Sequence, residues 1–268
     1  MELKELGNTG VMVPEIGLGA WKYRGGPAPL RRGIELGAAF IDTAEMYRNE
    51  DEVGQAIEGL RSDLFLATKV SGSHLRYGQV MQAAEESLRR LRVDYVDLYQ
   101  VHWPNRSVPI AETIRAMEAL VDAGMVRYVG VSNFSTREVQ EAQEAMTNYP
   151  LVSNQVLYNL NARSIEGDLL PYCQRNQITV IAYTPLDDGS LASSPRFRSD
   201  RRTRAMEQVT AQVGKTRAQV ALNWCTSRPN VIAIPKSNSL TRTEENCGAS
   251  GWRLSPEQVS LLDEAFGG

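Results

Sequence analysis

Four residues suited to moving protons lie at or just beyond the ends of short apolar runs: Asp42 in FIDTAEMY, Tyr47 five residues later, Lys69 in FLATKV and His102 in LYQVHWP. A tyrosine hydroxyl, with an ordinary pKa of about 10, is a poor acid at neutral pH, and a neighbouring ammonium lowers that value by stabilising the phenolate. Lys69 can supply the ammonium, Asp42 the carboxylate that keeps it charged and oriented, and His102 a second group able to hydrogen-bond a carbonyl oxygen beside Tyr47. A carbonyl so polarised accepts hydride. Taken singly, Asp42 reads equally as a helix N-cap, Lys69 as a solvated strand end, Tyr47 as packing and His102 as a structural histidine. Together they describe a proton-transfer centre, because a buried lysine needs a charge partner and Asp42 is the nearest candidate.

Such a set works only if separate strands deliver it to one place. Eight short runs rich in Val, Ile, Phe and Tyr recur: Ile16 to Ala20, Phe40 to Thr43, Phe65 to Lys69, Val96 to Val101, Arg127 to Val131, Val152 to Val156, Val180 to Tyr183 and Val231 to Ile234. Longer amphipathic stretches separate them, as in Gly78 to Leu91, where Val80, Met81, Ala84, Leu88 and Leu91 form one stripe. Six of the seven intervals are roughly 23 to 32 residues, room for a strand, a loop and one helix. The seventh, Thr184 to Asn230, holds a polar irregular piece and two helical stretches, Arg202 to Val213 and Ala218 to Ser227. The pattern predicts one α/β domain over residues 1–268, a (β/α)8 TIM barrel, with catalytic groups at the C-terminal ends of its strands. MELKEL and VMVP around GNTG predict an N-terminal β-hairpin that plugs the barrel bottom. GLGAWK carries two glycines of a dinucleotide fingerprint, but the third is missing and RGGPAP follows where a helix should begin.

Composition narrows the partners. The net charge is −3, from 29 Lys+Arg against 32 Asp+Glu, and 42% of residues are hydrophobic, which suits a folded domain and gives no basic face for nucleic acid. Cys173, Cys225 and Cys247 lie far apart with only His74 and His102 to assist, arguing against a metal site and a disulfide framework. No apolar signal core and no run of about 18 apolar residues occurs, so the expectation is a cytoplasmic protein with no membrane partner.

The motifs FIDTAEMYRNEDEVG, FLATKV, LYQVHWP, VGVSNF, NQVLYN, AYTPL and IPKSNSLTRTEEN follow one another from the first strand to the last helices. In these the chain resembles the aldo-keto reductases, and specifically their shorter prokaryotic-type members near the 2,5-diketogluconate reductase-like enzymes. The resemblance implies a monomeric enzyme reducing a small-molecule aldehyde or ketone with NADPH, NADH being possible. Asp42, Tyr47, Lys69 and His102 match the catalytic tetrad, with Tyr47 as proton donor. Ser132, Asn133 and Gln155 match residues that hold the nicotinamide amide, and Tyr183 matches the aromatic that stacks on its ring. By residue type alone, Ser132 and Asn133 could equally cap a helix and Gln155 satisfy buried backbone. The implied cofactor site also takes in Ala20, Trp21, Asp42, Thr184, Pro185, Leu186, Ile234 and Pro235. Lys236, Ser237, Asn238 and Arg242 end the eighth strand and open a helix, a common phosphate site in this fold. The resemblance brings Lys236 and Arg242 to the adenosine 2′-phosphate, and Glu245 and Asn246 to the adenine. It implies a substrate pocket of Trp21, Met46, Tyr47, His102 and Trp103, with Tyr23 as a further candidate.

Two departures stand out. Asp187, Asp188 and Gly189 follow AYTPL where many relatives are richer in glycine, and two carboxylates there would repel a pyrophosphate unless they point away or pair with Arg196, Arg198, Arg201, Arg202 or Arg204. The sequence ends soon after the amphipathic stretch Ser255 to Phe266, so a more open pocket is expected. Two other functions stay open: a cofactor-binding regulatory or structural protein on the same fold, and an NAD(P)-dependent sugar or alcohol dehydrogenase working oxidatively.

Overall fold

A computed structural model describes residues 1–194 and 200–267. The chain opens as an antiparallel hairpin, β1 (Leu3–Glu5) against β2 (Met12–Pro14), with Leu3 opposite Pro14. Its turn needs Gly7 and Gly10, which hold φ of 58° and 73°, a region costly to residues with a Cβ. Eight parallel strands follow in chain order: β3 (Leu18–Gly19), β4 (Phe40–Asp42), β5 (Phe65–Val70), β6 (Val96–Val101), β7 (Val126–Ser132), β8 (Leu151–Leu157), β9 (Thr179–Tyr183) and β10 (Val231–Ala233).

The sheet closes on itself beside β3. Ile16 bridges Ala233 in parallel, Gly17 N donates to Ala233 O at 2.8 Å and Ala233 N donates to Glu15 O at 2.9 Å. This seam explains the glycines of GLGAWK. A Cβ on Gly19 would stand 2.6 Å from the Ile234 carbonyl oxygen, and one on Gly17 would meet Phe40 at 2.9 Å. They serve close strand approach at the closure, and no dinucleotide fingerprint is present.

Helices α1 (Pro27–Glu35), α2 (Glu50–Ala56), α3 (Tyr77–Leu91), α4 (Ile110–Asp122), α5 (Thr136–Ala145) and α6 (Leu169–Arg175) cover the connections in turn. In α3 the inward stripe is Val80, Ala83, Ala84, Ser87, Leu88 and Leu91. Each large apolar side chain so buried contributes about 1.5–3 kcal/mol. The long interval holds α7 (Arg201–Val213) and α8 (Arg217–Thr226), the latter started by a capping box between Thr216 and Gln219. After β10 come α9 (Leu240–Cys247) and α10 (Pro256–Phe266), and α10 packs on α7 outside the repeating βα pattern.

Inside the barrel, side chains alternate by the strand period of two. Phe40, Phe65, Leu98, Val152, Ile181 and Ile232 form an apolar interior, completed from below by Leu6 and Val13 of the hairpin. The hairpin is therefore the plug that the sequence predicts. One step further along the same strands the inward residues turn polar: Phe40 gives way to Asp42, Ala67 to Lys69, Leu98 to Gln100 and Ile181 to Tyr183. The switch from apolar to polar marks the C-terminal mouth. Among the described residues, no helix is long and apolar enough to cross a membrane.

Candidate active site

Lys69 is fully buried at the mouth end of β5. Its ammonium spends each of its three hydrogens: on Asp42 Oδ1 at 2.5 Å, the Thr43 carbonyl at 2.8 Å and the Tyr47 hydroxyl oxygen at 3.2 Å. Asp42, also buried, takes two further bonds on Oδ2, from Gln155 Nε2 at 2.8 Å and Gln100 Nε2 at 3.2 Å. Gln100 was not singled out in the sequence, although it shares the inward face of LYQVHWP with Leu98 and His102. Burial, the largest influence on Lys69, lowers its pKa, but Asp42 and Tyr47 outweigh burial and hold it above the ordinary lysine value.

Tyr47 ends a single 3-10 turn, Glu45–Tyr47, just beyond β4. The sequence alone suggests that Lys69 lowers its pKa. Burial wins instead and raises it, with Lys69 pulling downward and Asp42 upward. Tyr47 therefore keeps its proton at neutral pH, and Lys69 limits the cost of losing it. The His102 ring lies edge-on to Tyr47 with centroids 5.4 Å apart, and its buried Nδ1 has no hydrogen-bond partner. Burial, with Lys69 adding to it, pushes the His102 pKa down to about 3, so the ring is neutral at physiological pH.

These groups open into a cleft of about 860 Å³. Trp21, Met46 and Trp103 line it while remaining about half exposed, and the Trp21 and Tyr47 rings stand 4.9 Å apart. The expected cofactor residues divide. Ala20, Ser132, Asn133, Tyr183, Thr184, Pro185, Leu186, Ile234, Pro235, Lys236, Arg242, Glu245 and Asn246 line the cleft. Asn133, held at φ 63°, accepts the Tyr183 hydroxyl at 2.9 Å and donates to the His102 carbonyl at 3.0 Å. Lys236 and Arg242 are exposed, with no ion pair or side-chain hydrogen bond among the described residues.

Four expectations are modified. Gln155 lines the cleft, yet its amide nitrogen is engaged with Asp42. Tyr23 lies away from the cleft: the turn that joins its N–H to the Ala20 carbonyl at 3.0 Å buries it, with the hydroxyl on the Gly26 carbonyl. Ser237 and Asn238 do not line the cleft either. Ser237 Oγ braces the start of α9 through Ser239 O at 2.8 Å, and Asn238 Oδ1 accepts the Arg24 N–H at 3.0 Å. Of the two added carboxylates, Asp187 is anchored by Asn161 at 2.9 Å and Ser190 at 2.5 Å, while Asp188 lines the cleft. Arg202 reaches Asn161 at 3.4 Å and Arg201 faces Glu264 at 3.5 Å, while Arg196 and Arg198 lie outside the described residues.

Comparison with known proteins identifies the family. The description "Aldo/keto reductase family" matches residues 15–266. Methylglyoxal reductase YeaE of Escherichia coli is 39% identical over 268 residues, spanning 96% of this chain and 92% of the relative. The crystal structure of an aldo/keto reductase from Klebsiella pneumoniae in complex with NADP and acetate superposes with a TM-score of 0.89 at 39% identity, covering 98% of this chain and 95% of that one. A protein provisionally named 2,5-diketo-D-gluconic acid reductase B gives a TM-score of 0.88 at 32% identity, over 98% of this chain and 92% of its own. The chain belongs to the aldo/keto reductase family.

Proposed function

We propose that this protein, read as one barrel domain over residues 1–268, reduces aldehydes and ketones to alcohols with NADPH, and that Asp42, Tyr47, Lys69 and His102 form its catalytic centre. The observation that carries this reading is the contact of the Tyr47 hydroxyl with a fully buried ammonium, 3.2 Å away, at the floor of an open cleft. When bound, NADPH supplies a hydride to the carbonyl carbon. The substrate oxygen sits against Tyr47 and the neutral His102, whose hydrogen bonds draw electron density onto it. As negative charge grows on that oxygen, the Tyr47 proton moves to it, and the phenolate left behind is met by Lys69. Asp42, gripped by Gln100 and Gln155, keeps Lys69 charged and aimed.

The residues present fit the dinucleotide. Lys236 and Arg242 offer two cations without an ion pair among the described residues for a 2′-phosphate, Ser132 and Asn133 offer polar groups for an amide, and Tyr183 offers a ring face beside them. The NADP-bound Klebsiella relative and the named methylglyoxal reductase support both halves of the reading. The test is consumption of NADPH, followed by absorbance, on addition of methylglyoxal or a nitrobenzaldehyde to the purified protein. Turnover supports the reading, and its absence with both aldehydes overturns it.

A further inference from the structure

Asn49 occupies the N-cap position of α2, where an asparagine ordinarily accepts a hydrogen bond from the first turn of its own helix. Here it makes no such bond. Its buried carboxamide turns back instead: Oδ1 accepts the Thr43 hydroxyl at 2.9 Å, and Nδ2 donates to the Ala20 carbonyl at 2.7 Å. Thr43 and Asn49 are the first and last residues of the loop that carries Tyr47, so the two bonds clasp that loop shut and fasten it to the end of β3. The loop needs such a fastening, because Arg48, directly after Tyr47, sits at φ 55°, a left-handed conformation that a non-glycine residue enters at a cost.

Both partners of the clasp touch the proton-transfer centre. The Thr43 carbonyl is one of the three acceptors of Lys69. Ala20 precedes Trp21, whose ring packs on Tyr47 with centroids 4.9 Å apart, and its N–H bonds the Asp42 carbonyl at 2.8 Å. The next residue, Glu50, ties the same helix start to β5 by accepting the Thr68 hydroxyl at 2.5 Å, one residue before Lys69. A helix that forgoes its own cap thus holds the Tyr47 loop against the end of β3 and against β5, the strand that carries Lys69.

We propose that Asn49 is a positioning residue that sets the contact between the Tyr47 hydroxyl and the Lys69 ammonium. The proposal rests on Tyr47 being the proton donor. Its test uses two variants that approach the clasp from opposite sides: Asn49→Asp, which keeps the shape but cannot donate to Ala20, and Thr43→Val, which removes the hydroxyl. A displacement of about 1 Å can cost up to about a hundred-fold in rate. Each variant should lower kcat about ten- to a hundred-fold, with KM and the NADPH dissociation constant within about threefold of the parent, and the double variant should fall little further than either alone. A second readout needs no turnover. In protein labelled with 13C-tyrosine at pH 8, the Tyr47 Cζ resonance, assigned by its loss in Tyr47→Phe, should move in the same direction in both variants. An unmoved resonance in a variant that is folded by circular dichroism overturns the proposal, as does an unchanged kcat. If the parent itself reduces no aldehyde, the proposed function fails, and the resonance alone still decides whether Asn49 sets the contact.

Discussion

Gln155 Nε2 donates to Asp42 Oδ2 at 2.8 Å, joining side chains 113 residues apart across the barrel mouth. With Gln100 on the same oxygen and Lys69 on the other, both oxygens of the buried Asp42 carboxylate are engaged. Such a pair is poised so that losing one member hurts more than losing both, because the survivor is a buried, uncompensated charge. Lys69→Met should therefore destabilise the protein by about 3–5 kcal/mol, and Asp42→Asn added to it should recover part of that loss. Urea unfolding of the single and double variants checks this, and equal stability of the two would contradict it. Neither variant should regain turnover, since Tyr47 in both lacks the ammonium.

The His102 ring gives the protein a pH dependence of defined sign. Burial lowers its folded-state pKa to about 3, against an ordinary value of 6.5 in the unfolded chain. Between these values the unfolded state binds a proton that the folded state refuses, so unfolding gains on folding as the pH falls. His102 thus contributes stability that is present above about pH 6.5 and lost progressively toward pH 3. The 15N shifts of the His102 ring should remain those of a neutral imidazole at pH 5, and His102→Asn should flatten the loss of stability between pH 6.5 and 4. A His102 ring that titrates near 6.5 in the folded protein would refute the assignment.

Cofactor choice is expected to follow charge at Lys236 and Arg242, which line the cleft. A guanidinium contact to a 2′-phosphate exists with NADPH and has no counterpart with NADH. Hydrogen bonds to charged groups contribute roughly 1.5–3 kcal/mol, or about ten- to a hundred-fold in affinity. Arg242→Ala should raise the NADPH dissociation constant within that range and leave the NADH constant nearly unchanged, both measured by quenching of tryptophan fluorescence. Equal weakening of both cofactors would assign Arg242 to the adenine or to the fold.

The sequence makes some of this architecture legible because strands and helices advertise their period. Each of the eight expected strands overlaps an observed one, and the period of two along FLATKV and LYQVHWP puts Lys69 on one face with Ala67, and His102 on one face with Leu98. The same rule would have found Gln100. What periodicity cannot give is the partner an inward side chain selects. Gln155 could meet a ligand or Asp42, and only the width of the closed barrel brings Asp42 within 2.8 Å. Tyr23 lies two residues beyond Trp21 in a turn rather than a strand, so alternation no longer applies and its ring is buried. Asn49 is hidden in the sequence for the opposite reason: an asparagine before an acidic helix start already has an ordinary explanation in capping, which this one does not perform.

The central claim is that Tyr47 hands its proton to the substrate oxygen. Tyr47→Phe keeps the ring against Trp21 and His102 and removes only the hydroxyl, so NADPH should bind as in the parent. General acid catalysis is typically worth about 10²–10⁴-fold. The most direct measurement is single-turnover NADPH oxidation with a nitrobenzaldehyde by the Phe variant: the account predicts a fall of at least about a hundred-fold with unchanged NADPH affinity, and a rate close to that of the parent would contradict it.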